Sequence, residues 1–176
     1  MTIETLEPAQ LNEMGKKAFE RKNFDEAADY FRRAVEGYTL GRAGLLAAEV
    51  RNNLSVTLLQ AGKPQEALNA ALETDQLFAS AKDIKRQAMA LGNQAAALEG
   101  LGRNEEALEK YEQSADLFGQ INDGDMRALV MKSAAAIKLK TGKITESAFK
   151  MMGSVDVKEN PTLFERIMKF LLRFIK

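Results

Sequence analysis

Lys22-Asn-Phe-Asp-Glu-Ala27, Gly62-Lys-Pro-Gln-Glu-Ala67, Gly102-Arg-Asn-Glu-Glu-Ala107 and Gly142-Lys-Ile-Thr-Glu-Ser147 are four variants of one short segment, and their starts are 40 residues apart each time. A fixed period of this length marks a repeat architecture, so the register decides the fold more than any single residue does. Other positions keep the same step. Ala28, Leu68, Leu108 and Ala148 are apolar throughout, and Tyr38, Phe78 and Phe118 put an aromatic near the end of each of the first three units.

Each unit predicts two helices. Upstream of the quoted segment, apolar residues recur at helical spacing, as in Leu54, Leu58 and Leu59 or Leu91, Ala95, Leu98 and Leu101. Gly62, Gly102 and Gly142 then close the helix, because glycine enters the left-handed backbone region at little cost. Glu-Ala or Glu-Ser opens the second helix with an acid near its N-terminus, and Pro64 falls where its missing N–H costs nothing. Small residues at Ala27, Ala67, Ala107 and Ser147 let the two helices approach. Phe31, Tyr111 and Met151, one helical turn further on, are expected to fill the space between neighbouring hairpins. No hairpin can bury both of its faces alone, so the units stack into a solenoid with one concave face.

On these residues the units resemble tetratricopeptide repeats. In the first, Leu11, Met14, Gly15, Ala27, Phe31 and Ala34 stand at the family's signature spacing, with Ala18 in place of the usual aromatic. The second and third match through Gly62 with Ala67, Gly102 with Ala107, and Leu58 and Leu98; the fourth has Ser147 for Ala and Lys138 at the aromatic position. The resemblance implies an all-α fold, a right-handed α-solenoid of about four hairpins with eight repeat helices in all, and the chain's own residue pattern adds a C-terminal amphipathic helix. The expected domain is residues 1–153, with repeats at about 8–41, 43–80, 84–120 and 124–153. A linker at 154–160 and a helix at 161–176 follow. The family period is about 34 residues, and the surplus is expected to lengthen the second helix and the loops around Lys82-Asp83 and Asn122-Asp123. In this it resembles the longer variant found in some polarity and motor-adaptor scaffolds.

Composition narrows the function. The 176 residues include no His, Cys or Trp, which removes the commonest general base, thiol nucleophiles and Cys-ligated metal centres. Ser147-Ala-Phe-Lys150 and Lys140-Thr-Gly142 mimic two β-lactamase motifs, but in the wrong order and inside a repeat turn. No catalytic residue, metal or cofactor is expected. The 25 basic and 25 acidic side chains balance, which argues against a nucleic-acid partner held by bulk charge. The acidic N-terminal segment lacks the features of a secretory signal, so a cytoplasmic location is the expectation.

The partner is then a protein or peptide. Asn53 and Asn93 lie one repeat apart on first helices. In the resembled family this position faces the concave groove, where an amide can donate to and accept from a peptide backbone. The expected groove residues are Asn12, Lys16, Asn53, Val56, Asn93 and Lys132; the alternative is that the asparagines bond locally within their hairpins. The carboxylate clamp of chaperone-binding members is not reproduced, since the chain offers Asn12 with Lys16 and Met89 with Asn93.

The last sixteen residues differ from the repeats. Wound as a helix, Pro161 to Lys176 gathers Phe164, Ile167, Met168, Phe170, Leu171 and Phe174 with other apolar residues into an arc of about 200°. Lys169, Arg173 and the remaining charges occupy the rest, for a net charge of +3. Three roles compete: attachment to an anionic membrane surface on the cytoplasmic face, a cap on the last repeat, and a contact to another chain that would make a homo-oligomer.

Overall fold

The computed structural model describes residues 6–142. These form eight helices: α1 (Pro8–Glu20), α2 (Phe24–Leu40), α3 (Gly44–Gln60), α4 (Pro64–Ala71), α5 (Thr74–Ser80), α6 (Ile84–Gly100), α7 (Asn104–Gln120) and α8 (Gly124–Lys140). No strand occurs among the described residues. The chain divides into two units, Met1–Ala134 and Ala135–Lys176. The first holds α1 to α7 and most of α8. In the second, the described residues are the end of α8 and its turn, where Thr141 Oγ1 donates to the Ile137 carbonyl at 2.9 Å. The quoted segment beyond Gly142, Met151, the linker and the whole C-terminal helix lie outside the described residues.

The backbone repeats every 20 residues, twice as often as the sequence motif. Left-handed φ values recur at Lys22 (63°), Arg42 (55°), Gly62 (75°), Lys82 (59°), Gly102 (74°), Asn122 (55°) and Gly142 (70°). After each of the first six, the next residue's N–H reaches the carbonyl five residues back. Ala43 donates to Tyr38 at 2.8 Å, Lys63 to Leu58 at 2.9 Å and Asp123 to Phe118 at 3.0 Å. This closure satisfies carbonyls that a helix end leaves orphaned. The sequence marks only three of these seven turns with glycine. Elsewhere Lys22, Arg42, Lys82 and Asn122 carry a side chain into a conformation that costs a non-glycine residue about 1 kcal/mol or more.

The extra length of the repeat is not in the loops, contrary to the sequence expectation. The turns at Lys82-Asp83 and Asn122-Asp123 are as tight as those at Gly62 and Gly102. Instead α3, α6 and α8, all first helices, have 17 residues, as do the second helices α2 and α7. Two such helices and two three-residue turns fill the forty-residue period.

The second hairpin departs from the expected continuous second helix. After Ala71 the backbone becomes extended at Leu72 (φ −55°, ψ 137°) and left-handed at Glu73 (φ 65°), which splits the helix into α4 and α5. The carbonyls freed by the break are captured from neighbouring helices. Arg51 Nε donates to Ala70 O at 3.0 Å, and its other guanidinium nitrogen to Leu72 O at 2.7 Å. Ala71 O accepts from Thr74 Oγ1 at 2.8 Å and from Gln94 Nε2 at 3.0 Å. Thr74 Oγ1 also lies 2.9 Å from Asn52 Oδ1, so its one proton is shared between the two acceptors, and Gln94 Nε2 donates its second proton to Asp75 Oδ1 at 2.7 Å. Every buried polar group in this cluster therefore has a partner, as burial requires.

Packing follows the size pattern of the repeat. Ala27, Ala67 and Ala107 are wholly buried at the hairpin crossings, and Phe78 and Phe118 wholly buried near the ends of α5 and α7. Gly15 faces Phe31 so closely that a Cβ there would stand 2.7 Å from the ring. Side-chain volume is thus balanced between facing positions, as close packing demands.

Candidate partner-binding groove

The first helices α1, α3, α6 and α8 supply one wall each, and the residue one turn beyond the small crossing residue decides how they meet. That residue is Phe31 in the first hairpin, Ala71 in the second and Tyr111 in the third. Where it is a ring, it leaves a cleft between successive first helices. A cleft of about 360 Å³ lies over Phe31, lined by Lys16, Phe19 and Glu20 of α1 and by Asn53, Val56 and Thr57 of α3. A second, of about 270 Å³, lies over Tyr111 and Phe118. Met89, Asn93 and Ala96 of α6 line one side; Met126, Leu129, Val130 and Ser133 of α8 line the other. Between the two, Ala71 is too small to wedge, and α3 and α6 pack directly on each other.

The exposed surface of both clefts is mostly apolar. Lys16 Nζ binds Glu13 at 2.7 Å, and this hydrogen bond, with the lysine's charge, holds the Glu13 carboxyl below its ordinary pKa. The Tyr111 hydroxyl donates to Glu99 at 3.0 Å. Burial, reinforced by the Glu99 carboxylate, pushes the phenol up to about 12, so the floor of the second cleft stays uncharged at neutral pH. Among the described residues no group of His, Cys, Asp and Glu is arranged to hold a metal ion.

The six groove residues expected from the sequence fall into three sets. Lys16, Asn53 and Val56 come together in the first cleft, while Asn93 lines the second. Asn12 and Lys132 line neither. Asn12 is half-buried, with its Oδ1 enclosed and unpartnered among the described residues; Lys132 is exposed, and its neighbour Ser133 enters the cleft. The amides of Asn53 and Asn93 bond to no described residue; the asparagine that bonds locally is Asn52, one position earlier. The C-terminal candidates Phe164, Ile167, Met168, Lys169, Phe170, Leu171, Arg173 and Phe174 lie outside the described residues.

Sequence reasoning missed Phe19, Met89, Met126 and Leu129. A signal for the last three exists: α6 and α8 carry apolar residues on more than one face, and a helix needs only one such stripe to meet its core. Met89 and Leu129 remain 42% and 56% exposed, the second stripe turned toward the groove.

With the geometry in place, comparison with known families gives a direct match. Residues 7–74 fit the family model described as tetratricopeptide repeat, and the helix-turn register of that segment continues without a shift through Gly142. No curated protein matches the chain. No helix among the described residues is long and apolar enough to cross a membrane.

Proposed function

We propose, taking as premise that this chain is a tetratricopeptide-repeat protein, that it is a non-enzymatic adaptor whose first-helix groove takes a peptide or a surface segment of a partner protein. The observation that carries the reading is the pair of apolar clefts over Phe31 and Tyr111, each with an unengaged asparagine amide on its wall. Bulky apolar side chains of a partner enter the clefts, and the Asn53 and Asn93 amides bond its backbone.

The sequence pattern of residues 161–176 supports a second element of this reading, attachment to an anionic membrane surface through the apolar arc and the basic residues Lys169 and Arg173. Adaptor and attachment are separable. Replacing Asn53 and Asn93 by Ala removes about 1 kcal/mol per lost amide contact, roughly fivefold to tenfold in partner Kd for each, with melting temperature unchanged. Normal binding by the double variant rejects the groove. Co-sedimentation with anionic vesicles that falls, relative to the full chain, in residues 1–160 and in Phe170→Asp tests the attachment. A truncation that instead melts lower, beside a full chain that stays in solution, assigns the segment to capping the last repeat.

A further inference from the structure

The turn between α2 and α3 breaks the surface pattern of its own repeat. Leu40 is 79% exposed, Leu45 43% and Leu46 47%, and only the turn Gly41–Ala43 and Gly44, the first residue of α3, separate the first from the other two. From Thr39 to Ala48 the one charge is Arg42. The same ten positions in the next repeat hold Lys82, Asp83, Lys85 and Arg86, and in the one after Asp123, Asp125 and Arg127. Those later turns are tied down by ion pairs, Lys85 with Asp123 at 3.1 Å and Arg86 with Glu49 at 3.7 Å. At the first turn Ala43 stands where Asp83 and Asp123 stand, so the tip has lost its acid and gained three leucines.

We propose that this turn inserts into the interface of an anionic bilayer, with Leu40, Leu45 and Leu46 in the boundary between headgroups and acyl chains and Arg42 against a lipid phosphate or carboxylate. Three features select a lipid surface. The patch is an exposed tip rather than a groove, and Gly44 has no other group within 4 Å of where its Cβ would be. The turn's own donors are already used: Gly41 N–H bonds Gly37 O at 3.0 Å, Arg42 N–H bonds Thr39 O at 3.0 Å and Ala43 N–H bonds Tyr38 O at 2.8 Å. It enters a water-poor interface without stranding them. Its single charge is positive and forms no ion pair with a described residue, which complements acidic headgroups. The proposal is independent of the groove and of residues 161–176.

The chain has no Trp, so Leu45→Trp puts one fluorophore at the tip of the full-length protein. On phosphatidylcholine vesicles containing phosphatidylserine its emission shifts to shorter wavelength and is quenched by lipids brominated on the acyl chain. Adding Arg42→Glu removes most of the response. Leu40→Gln with Leu45→Asp, the residues found eighty positions on as Gln120 and Asp125, lowers co-sedimentation several-fold and leaves the melting temperature in place. Emission that stays at the solvent-exposed wavelength while the chain pellets overturns the proposal, because another segment then does the binding. An equal response on phosphatidylcholine alone also overturns it, as does a shift that grows with protein concentration without vesicles. The last result would make the tip a contact between copies of the chain.

Discussion

Replacing Arg51 with Met keeps most of the aliphatic stem and removes the guanidinium that reaches across to the break between α4 and α5. Two hydrogen bonds disappear, one to the half-buried carbonyl of Ala70 at 3.0 Å and one to the exposed carbonyl of Leu72 at 2.7 Å. Water replaces the second readily, so its loss costs little. The first is a charged donor at a partly enclosed acceptor, and its loss accounts for most of an expected destabilisation of about 1–2 kcal/mol. Glu73→Gly works in the opposite direction. It relieves the left-handed backbone at φ 65°, worth about 1–2 kcal/mol, against about 0.5–1 kcal/mol of added chain entropy, so the net is a gain of up to about 1 kcal/mol. Urea unfolding followed by circular dichroism reads both shifts, and hydrogen exchange localises them to residues 70–77. An Arg51→Met protein with an unchanged midpoint and unchanged exchange there would refute the reasoning, since solvent would then hold the freed carbonyls as well as Arg51 does.

Gly15→Ala drives a Cβ to 2.7 Å from the Phe31 ring and is expected to cost about 1–3 kcal/mol, measured as a lower urea midpoint. Lys82→Gly relieves the left-handed turn at φ 59° and raises the melting temperature, by up to about 1 kcal/mol in stability. Tyr111 has a folded-state pKa raised to about 12, so the native state holds the phenolic proton more tightly than the unfolded chain. The stability this confers is fully present below the unfolded value of about 10 and is lost as pH rises through the folded one. Tyr111→Phe is therefore expected to unfold less steeply with alkali than the parent between those limits.

Much of this architecture was legible in the 40-residue register, because a periodic core writes itself into sequence as a periodic set of small and apolar residues. Gly62, Gly102, Ala27, Ala67 and Ala107 stand where the structure needs left-handed turns and close helix crossings. The turns at Arg42, Lys82 and Asn122 left no such mark. Their side chains point to solvent and tolerate the strain, so the backbone's 20-residue repeat is invisible in residue types. The break at Leu72 was hidden for a different reason. Its local residues are ordinary helix formers, and the groups that stabilise it, Arg51 and Gln94, come from the helices on either side. In the groove, polar residues suggested by spacing alone divided: Asn53 and Asn93 reach the clefts, whereas Asn12 and Lys132 do not, since one position around a helix turns a side chain by about 100°. The apolar lining was harder to see, because Met89 and Leu129 look like core residues until the opposite face of the helix is seen to supply the core.

The central claim is that partners bind on the first helices, in the clefts over Phe31 and Tyr111. Photo-crosslinking residues substituted one at a time for Val56, Asn93, Gln65 and Glu109 in the full chain test it most directly, followed by mapping of the adducts to one partner. The first two line the clefts; the last two are exposed on α4 and α7. The account predicts adducts from Val56 and Asn93 and none from Gln65 or Glu109, and adducts from Gln65 and Glu109 alone would contradict it.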